Sequence, residues 1–200
     1  MTKEKKDLII RQATPNDADF IARTVMTAMD MKLKPGDSEW NKQRIKIFES
    51  LIECAKMEKS LYSYNNTIIA EVNGETAGAL ISYPGVSYRG FRVHTFAKMY
   101  EDTGIDLTFN PFETKEGEYY FDCMMVHMKY RRKGIATRLL EEGYKKATDL
   151  GYNNVHLLAK VKNTKLCSFY FKQGFMRELQ PIHIFDDDYY KFVKFLFIYK

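Results

Sequence analysis

The sequence predicts an α/β fold, one mixed sheet flanked by helices, and three local signals predict it. Asn73-Gly74 separates two strand-like runs, TIIAEV and TAGALISY, and that dipeptide accepts the positive φ angles of a tight primed turn. An aromatic strand, YYFDCMMVHM, leads through a basic glycine turn into a leucine-bearing helix. The tail YYKFVKFLFIY has the aromatic and apolar density of a closing strand.

The elements follow in order. DLIIRQA, residues 7 to 13, is strand-like, and TPND then starts a helix over about 15 to 30. Thr14 or Asn16 caps it, Pro15 fixes the early backbone, Asp17 and Asp19 complement the dipole, and Phe20, Ile21 and Val25 point inward. Beyond KPGDSEW, the residues Trp40, Ile45, Phe48, Leu51, Ile52 and Ala55 recur at helical spacing, giving a second helix over about 38 to 57. The hairpin strands occupy 66 to 73 and 76 to 83, and residues 88 to 101 read as a further helix before the loop TGIDLTFNPFETKEGE. After the strand at 119 to 128 come a helix over about 134 to 150, a strand NNVHLLAKV, a short helix opened by Asn163, a strand beginning at GFM, and the tail.

Two hundred residues, 45% of them hydrophobic, suit a single domain over 1–200, since domains commonly hold about 100–200 residues. Cys54, Cys123 and Cys167 are odd in number and lack CxxC or Cys/His spacing, so neither a disulfide framework nor a zinc site is indicated and no metal is expected. The natural compartment is a reducing cytoplasm. Three consecutive apolar residues before Arg11 are too few for a signal-peptide core or a membrane span of roughly 20 residues, so no membrane partner is expected. The net charge of +5 comes from 31 basic against 26 acidic residues spread along the chain. With no aromatic stacking motif and no dedicated basic helix, nucleic-acid binding is not expected either.

The chemistry concentrates in YRRKGIATRLL, residues 130 to 140. A helix entrance offers unpaired backbone N–H groups and the positive end of the helix dipole, which together suit a diphosphate. Gly134 lets the backbone come close, Ala136 stays small, and Lys129, Arg131, Arg132 and Lys133 add positive charge around the turn. The Walker pattern GxxxxGK[ST] and the dinucleotide pattern GxGxxG are both absent. What remains is R-x-x-G-x-A, with Asn163 following 27 residues after Ala136, and then YFKQGF.

Strand, R-x-x-G-x-A turn, helix, second strand, asparagine and Y-x-x-x-GF together resemble the acyl-CoA signature of the GCN5-related N-acetyltransferase (GNAT) superfamily. The specific part spans about 119 to 176, and DLIIRQATPNDADFIA and VNGETAGALISY look like the family's usual start. The resemblance implies a GNAT acyl-CoA transferase fold, with a central mixed, mostly antiparallel sheet of about seven strands flanked by helices. It implies acetyl-CoA as co-substrate, a small-molecule or peptide amine as acceptor, and a chain that is a monomer or homodimer. By position, the amides of Arg131, Arg132, Lys133, Gly134, Ile135, Ala136 and Thr137 would cradle the CoA pyrophosphate. Backbone groups of Val126 and Met128 would pair with the pantetheine arm as if it were another strand, which requires neighbouring strands to splay. Asn163 would hydrogen-bond the pantetheine or pyrophosphate, and Tyr170, seven residues later, would lie near the thioester sulfur.

The phenol of Tyr170 is protonated at neutral pH, with an ordinary pKa near ~10, so it can donate to a departing thiolate; the plain alternative is a buried aromatic whose hydroxyl caps a hydrogen bond. The reaction implied is direct transfer, a neutral amine attacking while backbone N–H from the Met125 to Val126 region stabilises the oxyanion. Cys123 and Cys167 have no histidine placed beside them by a recognisable motif. For the base, strand alternation puts Glu118, Tyr120, Asp122 and Met124 on one face. Asp122 is the favoured base, because a carboxylate in an apolar strand is costly unless it is paired or faces a wet cleft. Asp122 could equally bind the substrate ammonium or satisfy a core cation, and His127 is the other base candidate; the family's usual base position carries Tyr120 here. The tyrosines at 62, 64, 83, 88, 119, 120, 189 and 190 are available to line the acceptor side, and Asp186-Asp187-Asp188 reads as a solvated turn. A chain that keeps the cradle without catalysing, an acyl-CoA sensor or interaction module, is the competing reading.

Overall fold

The computed structural model describes residues 7–31 and 37–196. Strand β1 (Leu8–Gln12) meets Thr14, whose backbone N–H and hydroxyl both donate to Asp17 Oδ2 at 2.7 and 3.0 Å. That reciprocal cap closes a 3-10 turn, Pro15–Asp17, and helix α1 (Ala18–Ala28) starts only after it. Helix α2 (Ser38–Lys56) opens on Asp37, whose carboxylate accepts the Trp40 N–H at 3.0 Å. Its buried stripe is Ile47, Leu51, Cys54 and Ala55, while Ile45, expected inside, is 49% exposed. The hairpin of β2 (Thr67–Val72) and β3 (Glu75–Pro84) turns at Asn73 and Gly74, both with positive φ. Helix α3 (Gly85–Thr103) is longer than the stretch 88 to 101 predicted and ends on left-handed Gly104.

The C-terminal half alternates strand and helix: β4 (Tyr119–Val126), α4 (Ile135–Asp149), β5 (Asn154–Lys160), α5 (Thr164–Lys172), then β6 (Met176–Arg177), β7 (Ile182–Ile184) and β8 (Asp187–Phe195). Among the described residues these strands form an eight-stranded sheet of order β1-β2-β3-β4-β5-β8-β6, with β7 on β8. Pairing is antiparallel except for β4 with β5. The strand beyond the expected seven is β7, three residues folded back on β8 through Phe185 and Asp186, both at positive φ. Residues 197–199, expected in the last strand, lie outside the described residues.

The sheet divides the core. Helices α1, α2 and α3 cover one face over Ile21, Leu51, Ile69, Ile81 and Tyr83; α4 and α5 cover the other over Leu80, Phe121, Leu139, Leu157 and Phe192. Gly143 is where α4 crosses the sheet: a Cβ there would stand 2.7 Å from the Phe121 ring and 2.8 Å from Leu80, so glycine permits the close approach.

Two irregularities of β4 shape everything that follows. Ile81 pairs with Cys123 and Ser82 with Phe121, which leaves Asp122 as an extra residue, a β-bulge. The bulge shifts the alternation expected from sequence: Tyr120 and Cys123 share the α1–α3 face, whereas Met124 and Val126 pack on the α4 face. Glu118, expected on the Asp122 face, is a buried structural group instead, taking Lys191 Nζ at 2.7 and 2.8 Å and Thr114 Oγ1 at 2.9 Å. The second irregularity is that β4 and β5 pair only from Tyr119 to Phe121, opposite Val155 to Leu157, and then diverge.

Candidate active site

The divergence of β4 and β5 leaves a row of strand backbone without a neighbour. His127 N–H donates to Ala77 C=O at 2.9 Å, and amide groups of successive residues in a ladder point to opposite sides. The groups of Val126 and Met124 therefore face away from β3, into the gap. Arg131 Nε donates to the Val126 carbonyl at 3.0 Å. The strand ends at Val126; Met128 begins a 3-10 turn and its carbonyl accepts the Arg131 N–H at 3.3 Å. Its backbone thus does not extend the strand to 128 as the sequence predicted.

The basic turn follows directly. Arg132 and Gly134 both have left-handed φ, 59° and 79°, and Gly134 caps α4 with no side-chain cap bond. The first amides of the helix, Ile135, Ala136 and Thr137, are the ones an N-terminus leaves without intrahelical acceptors. Ile135 contributes backbone alone, its side chain being buried against the sheet. Lys133 Nζ donates to the Lys129 carbonyl at 2.8 Å, and Lys129 pairs with Glu75 at 2.5 Å. Arg131, Arg132 and Lys133 are all exposed. The donor set and the glycine turn fit a diphosphate.

Where the strands separate lies a cleft of about 400 Å³ that brings together Asp122, Asn163 and Tyr170. Asn163 caps α5, its Oδ1 accepting the Leu166 N–H at 3.1 Å, so its NH₂ group is the part left for a ligand. Tyr170, 7% exposed, rests its ring on Phe175 and Phe192 with centroids 5.6 and 5.8 Å away. Burial pushes its phenol above the ordinary range, which keeps it protonated at neutral pH. Cys123 and Cys167 are also buried, and burial raises both thiols, which disfavours the thiolate a covalent mechanism needs. His127 lines a different cavity, with Phe20, Thr27 and Met125, so the two base candidates are not brought together.

The cleft also holds a carboxylate that sequence reasoning missed. Glu113, from the loop between α3 and β4, lines it with Asp122, Tyr62, Tyr120 and Tyr189. Tyr120 Oη donates to Glu113 Oε2 at 2.8 Å and Tyr88 Oη to Oε1 at 3.3 Å. Tyr83 Oη donates to Asp122 Oδ2 at 2.5 Å, and Cys123 Sγ to Oδ1 at 3.2 Å. Burial, then the nearby Asp122 charge, pushes the Glu113 carboxyl up to about 7 against the donation from Tyr120, Tyr88 and the charge of Arg92. Burial raises the Asp122 carboxyl as well.

An unusual clasp holds the Glu113 loop. The buried guanidinium of Arg92, on α3, donates to the carbonyls of Leu107 (3.3 Å), Thr108 (2.8 Å), Asn110 (2.6 Å) and Pro111 (3.1 Å). It also lies over Phe96 and Phe112, 4.6 and 4.8 Å from the ring centres. An adjoining cavity of about 500 Å³ shares Met29, Tyr62, Lys160, Phe185 and Tyr189 with the cleft and continues over Leu51, Phe96 and Met99. Asp187, expected in a solvated turn, instead pairs with Lys160 at 2.8 Å and with Lys162 at the rim.

The model of the Acetyltransferase (GNAT) family matches residues 38–175. Among curated proteins no sequence matches the chain. Among solved structures, an N-acetyltransferase from Staphylococcus aureus Mu50 superposes with a TM-score of 0.75 at 24% identity, covering 93% of this chain and 100% of that one. The ribosomal-protein-S18-alanine N-acetyltransferase from Escherichia coli does so with a TM-score of 0.57 at 13% identity, covering 97% of each chain. The NatC complex bound to Gag peptide and CoA gives 0.53 at 15% identity, covering 96% and 99%. The family match over more than two thirds of the sequence agrees with the fold and with the splayed strands, and the chain belongs to the GNAT family of acetyltransferases.

Proposed function

We propose that this acyltransferase moves an acetyl group from acetyl-CoA to a primary amine by direct attack in a ternary complex. The observation that carries the reading is the gap between β4 and β5, which joins unpaired strand backbone, a left-handed glycine turn at a helix start, and the Tyr170 cleft. CoA bound in the structurally similar NatC complex supports an acyl-CoA as donor. When bound, acetyl-CoA supplies the activated thioester. The amides from Arg132 to Thr137, with the side chains of Arg131, Arg132 and Lys133, hold the diphosphate; the Arg131 amide, expected to join them, is taken by the Met128 carbonyl. Strand backbone at Val126 and the amide of Asn163 align the arm, with Met128 at the exit of the strand. Within the Met125 to Val126 region it is the Val126 N–H, facing the gap, that meets negative charge on the acyl oxygen, the Met125 N–H being turned toward β3, and Tyr170 donates its proton at the departing sulfur. Asp122 receives the acceptor's ammonium group, whose charge complements the carboxylates of the cleft.

The acceptor's body lies in the adjoining cavity, where Leu51, Phe96 and Met99 favour an apolar or aromatic group behind the amine and Arg44, Asp106 and Asp186 leave room for a polar end. The test has two parts. Acetyl-CoA at 100 times its dissociation constant should stabilise the protein by about 2.7 kcal/mol in a thermal-shift series against CoA and longer acyl-CoAs. Thiol release should then be seen with arylalkylamines or peptides bearing apolar side chains ahead of polyamines and aminoglycosides. No thermal shift with any acyl-CoA overturns the donor assignment; binding without turnover across the panel makes the protein a sensor.

A further inference from the structure

We infer that Glu113 and Asp122 act as one proton-holding pair at the acceptor end of the cleft, with Glu113 a second catalytic carboxylate that takes the ammonium proton before attack. The inference rests on the transferase reading and adds a residue to it. Three observations carry it. Both carboxyls line the same cleft, and each is gripped by a buried phenol, Tyr120 on Glu113 and Tyr83 on Asp122. Those two rings lie 5.8 Å apart, which fixes the two grips relative to each other. The Arg92 clasp then places the Glu113 loop by its main chain, a geometry not needed for a carboxylate that only closes a surface loop.

Groups facing the cleft around the pair are Tyr62 ahead of β2, Tyr83 on β3, Tyr88 and Arg92 on α3, Tyr120 and Cys123 on β4, Lys160 on β5, Tyr170 on α5 and Tyr189 on β8, with Asp30 and Lys162 at its margin. Arg92 is the cation whose charge bears on Glu113, while Lys160 and Lys162 are paired with Asp187; the phenols and the thiol are neutral at pH 7. Two like charges so placed do not ionise independently, so the pair holds a proton to higher pH than an ordinary carboxyl, burial raising both groups and the Asp122 charge raising Glu113 further.

In the step assigned to the pair, an ammonium N–H bond breaks, its proton goes to a carboxylate oxygen, and the electron pair stays on nitrogen to form the bond to the acyl carbon. The C–S bond breaks and the sulfur takes the Tyr170 proton. The second N–H proton of the acceptor, released once the C–N bond exists, restores Tyr170, and the pair passes its own proton to solvent.

The experiment uses the full chain with carboxyl-¹³C glutamate and aspartate, titrated by NMR without ligand, alongside a pH profile of thiol release. Glu113 should titrate near pH 7 and fall toward the ordinary glutamate range in Asp122→Asn. The isosteric Glu113→Gln, whose acetyl-CoA affinity stays unchanged, should lower kcat about 100-fold at pH 7, and the deficit should vanish at a pH high enough to free the amine. Glu113 titrating in the ordinary range with no response to Asp122→Asn overturns the pair, whatever the activity. A Glu113→Gln profile matching the wild type overturns the base role. Wild-type protein that binds no acyl-CoA sinks the transferase reading, while the titration decides the pair by itself.

Discussion

At the scale of single residues, the phenol of Tyr170 and the backbone of Gly134 make the sharpest demands. Tyr170→Phe keeps the ring on Phe175 and Phe192 and removes the proton donor, so kcat should fall about 100-fold with acetyl-CoA affinity unchanged. Full activity of that variant at every pH would remove Tyr170 from the mechanism. Gly134→Glu sets a side chain on a backbone held at φ 79° and a negative charge at the mouth of the cradle. Calorimetric titration should find no acetyl-CoA binding. Tyr170, Asn163 and Gly134 could be singled out from the sequence because their spacing is a local pattern. Glu113 was not, because its neighbours give it meaning: Tyr88 and Tyr120 lie 25 and 7 residues away, and the loop between them has no periodicity to read.

At the scale of elements, the instructive case is the stretch from α3 to β4. Its helix follows apolar spacing and was expected, but the loop beyond it is ordered by one side chain. Gly85 shows how closely the loop returns: a Cβ there would lie 1.9 Å from the Lys115 carbonyl. Arg92→Met keeps much of the packing against Phe96 and Phe112 and abandons four carbonyls. With hydrogen bonds to a charged group worth about 1.5–3 kcal/mol each net of water, the variant should lose about 2 kcal/mol or more of stability, read as a lower urea midpoint at unchanged slope. Its loop amides should exchange faster than the rest of the sheet; unchanged exchange would show that the clasp is not what orders the loop. The hairpin, the glycine turn and the succession of strands and helices along the chain were legible from short signals; the order of strands within the sheet was not. The bulge at Asp122 was not, since an extra residue leaves the hydrophobic pattern of β4 nearly unchanged while turning every later side chain to the other face.

At the scale of the whole molecule, a buried polar group ties the middle of the sheet together. Glu118, just ahead of β4, binds Lys191 of β8, and His156 of β5 lies 3.8 Å from the same carboxylate. Burial, the largest single influence, raises Glu118, but the Lys191 hydrogen bond and charge, the His156 charge and the Thr114 hydroxyl together outweigh it and hold the carboxyl below its ordinary range. Burial lowers His156 from 6.5 to about 4. A histidine kept neutral in the fold binds fewer protons than the unfolded chain between those values, so stability is full above pH 6.5 and falls as pH drops toward 4. Urea midpoints across this window should decline in the wild type and flatten in His156→Gln; the Glu118 contribution is lost at lower pH still. Equal slopes in both proteins would assign the acid sensitivity elsewhere.

The Arg92 clasp has one more consequence. Because the guanidinium reads main-chain oxygens, the exposed side chains of Thr108 and Phe109 take no part in the Arg92 fastening. The loop is a chassis with interchangeable fittings: its outward groups can be exchanged to re-tool acceptor preference while Glu113 is delivered to the same place.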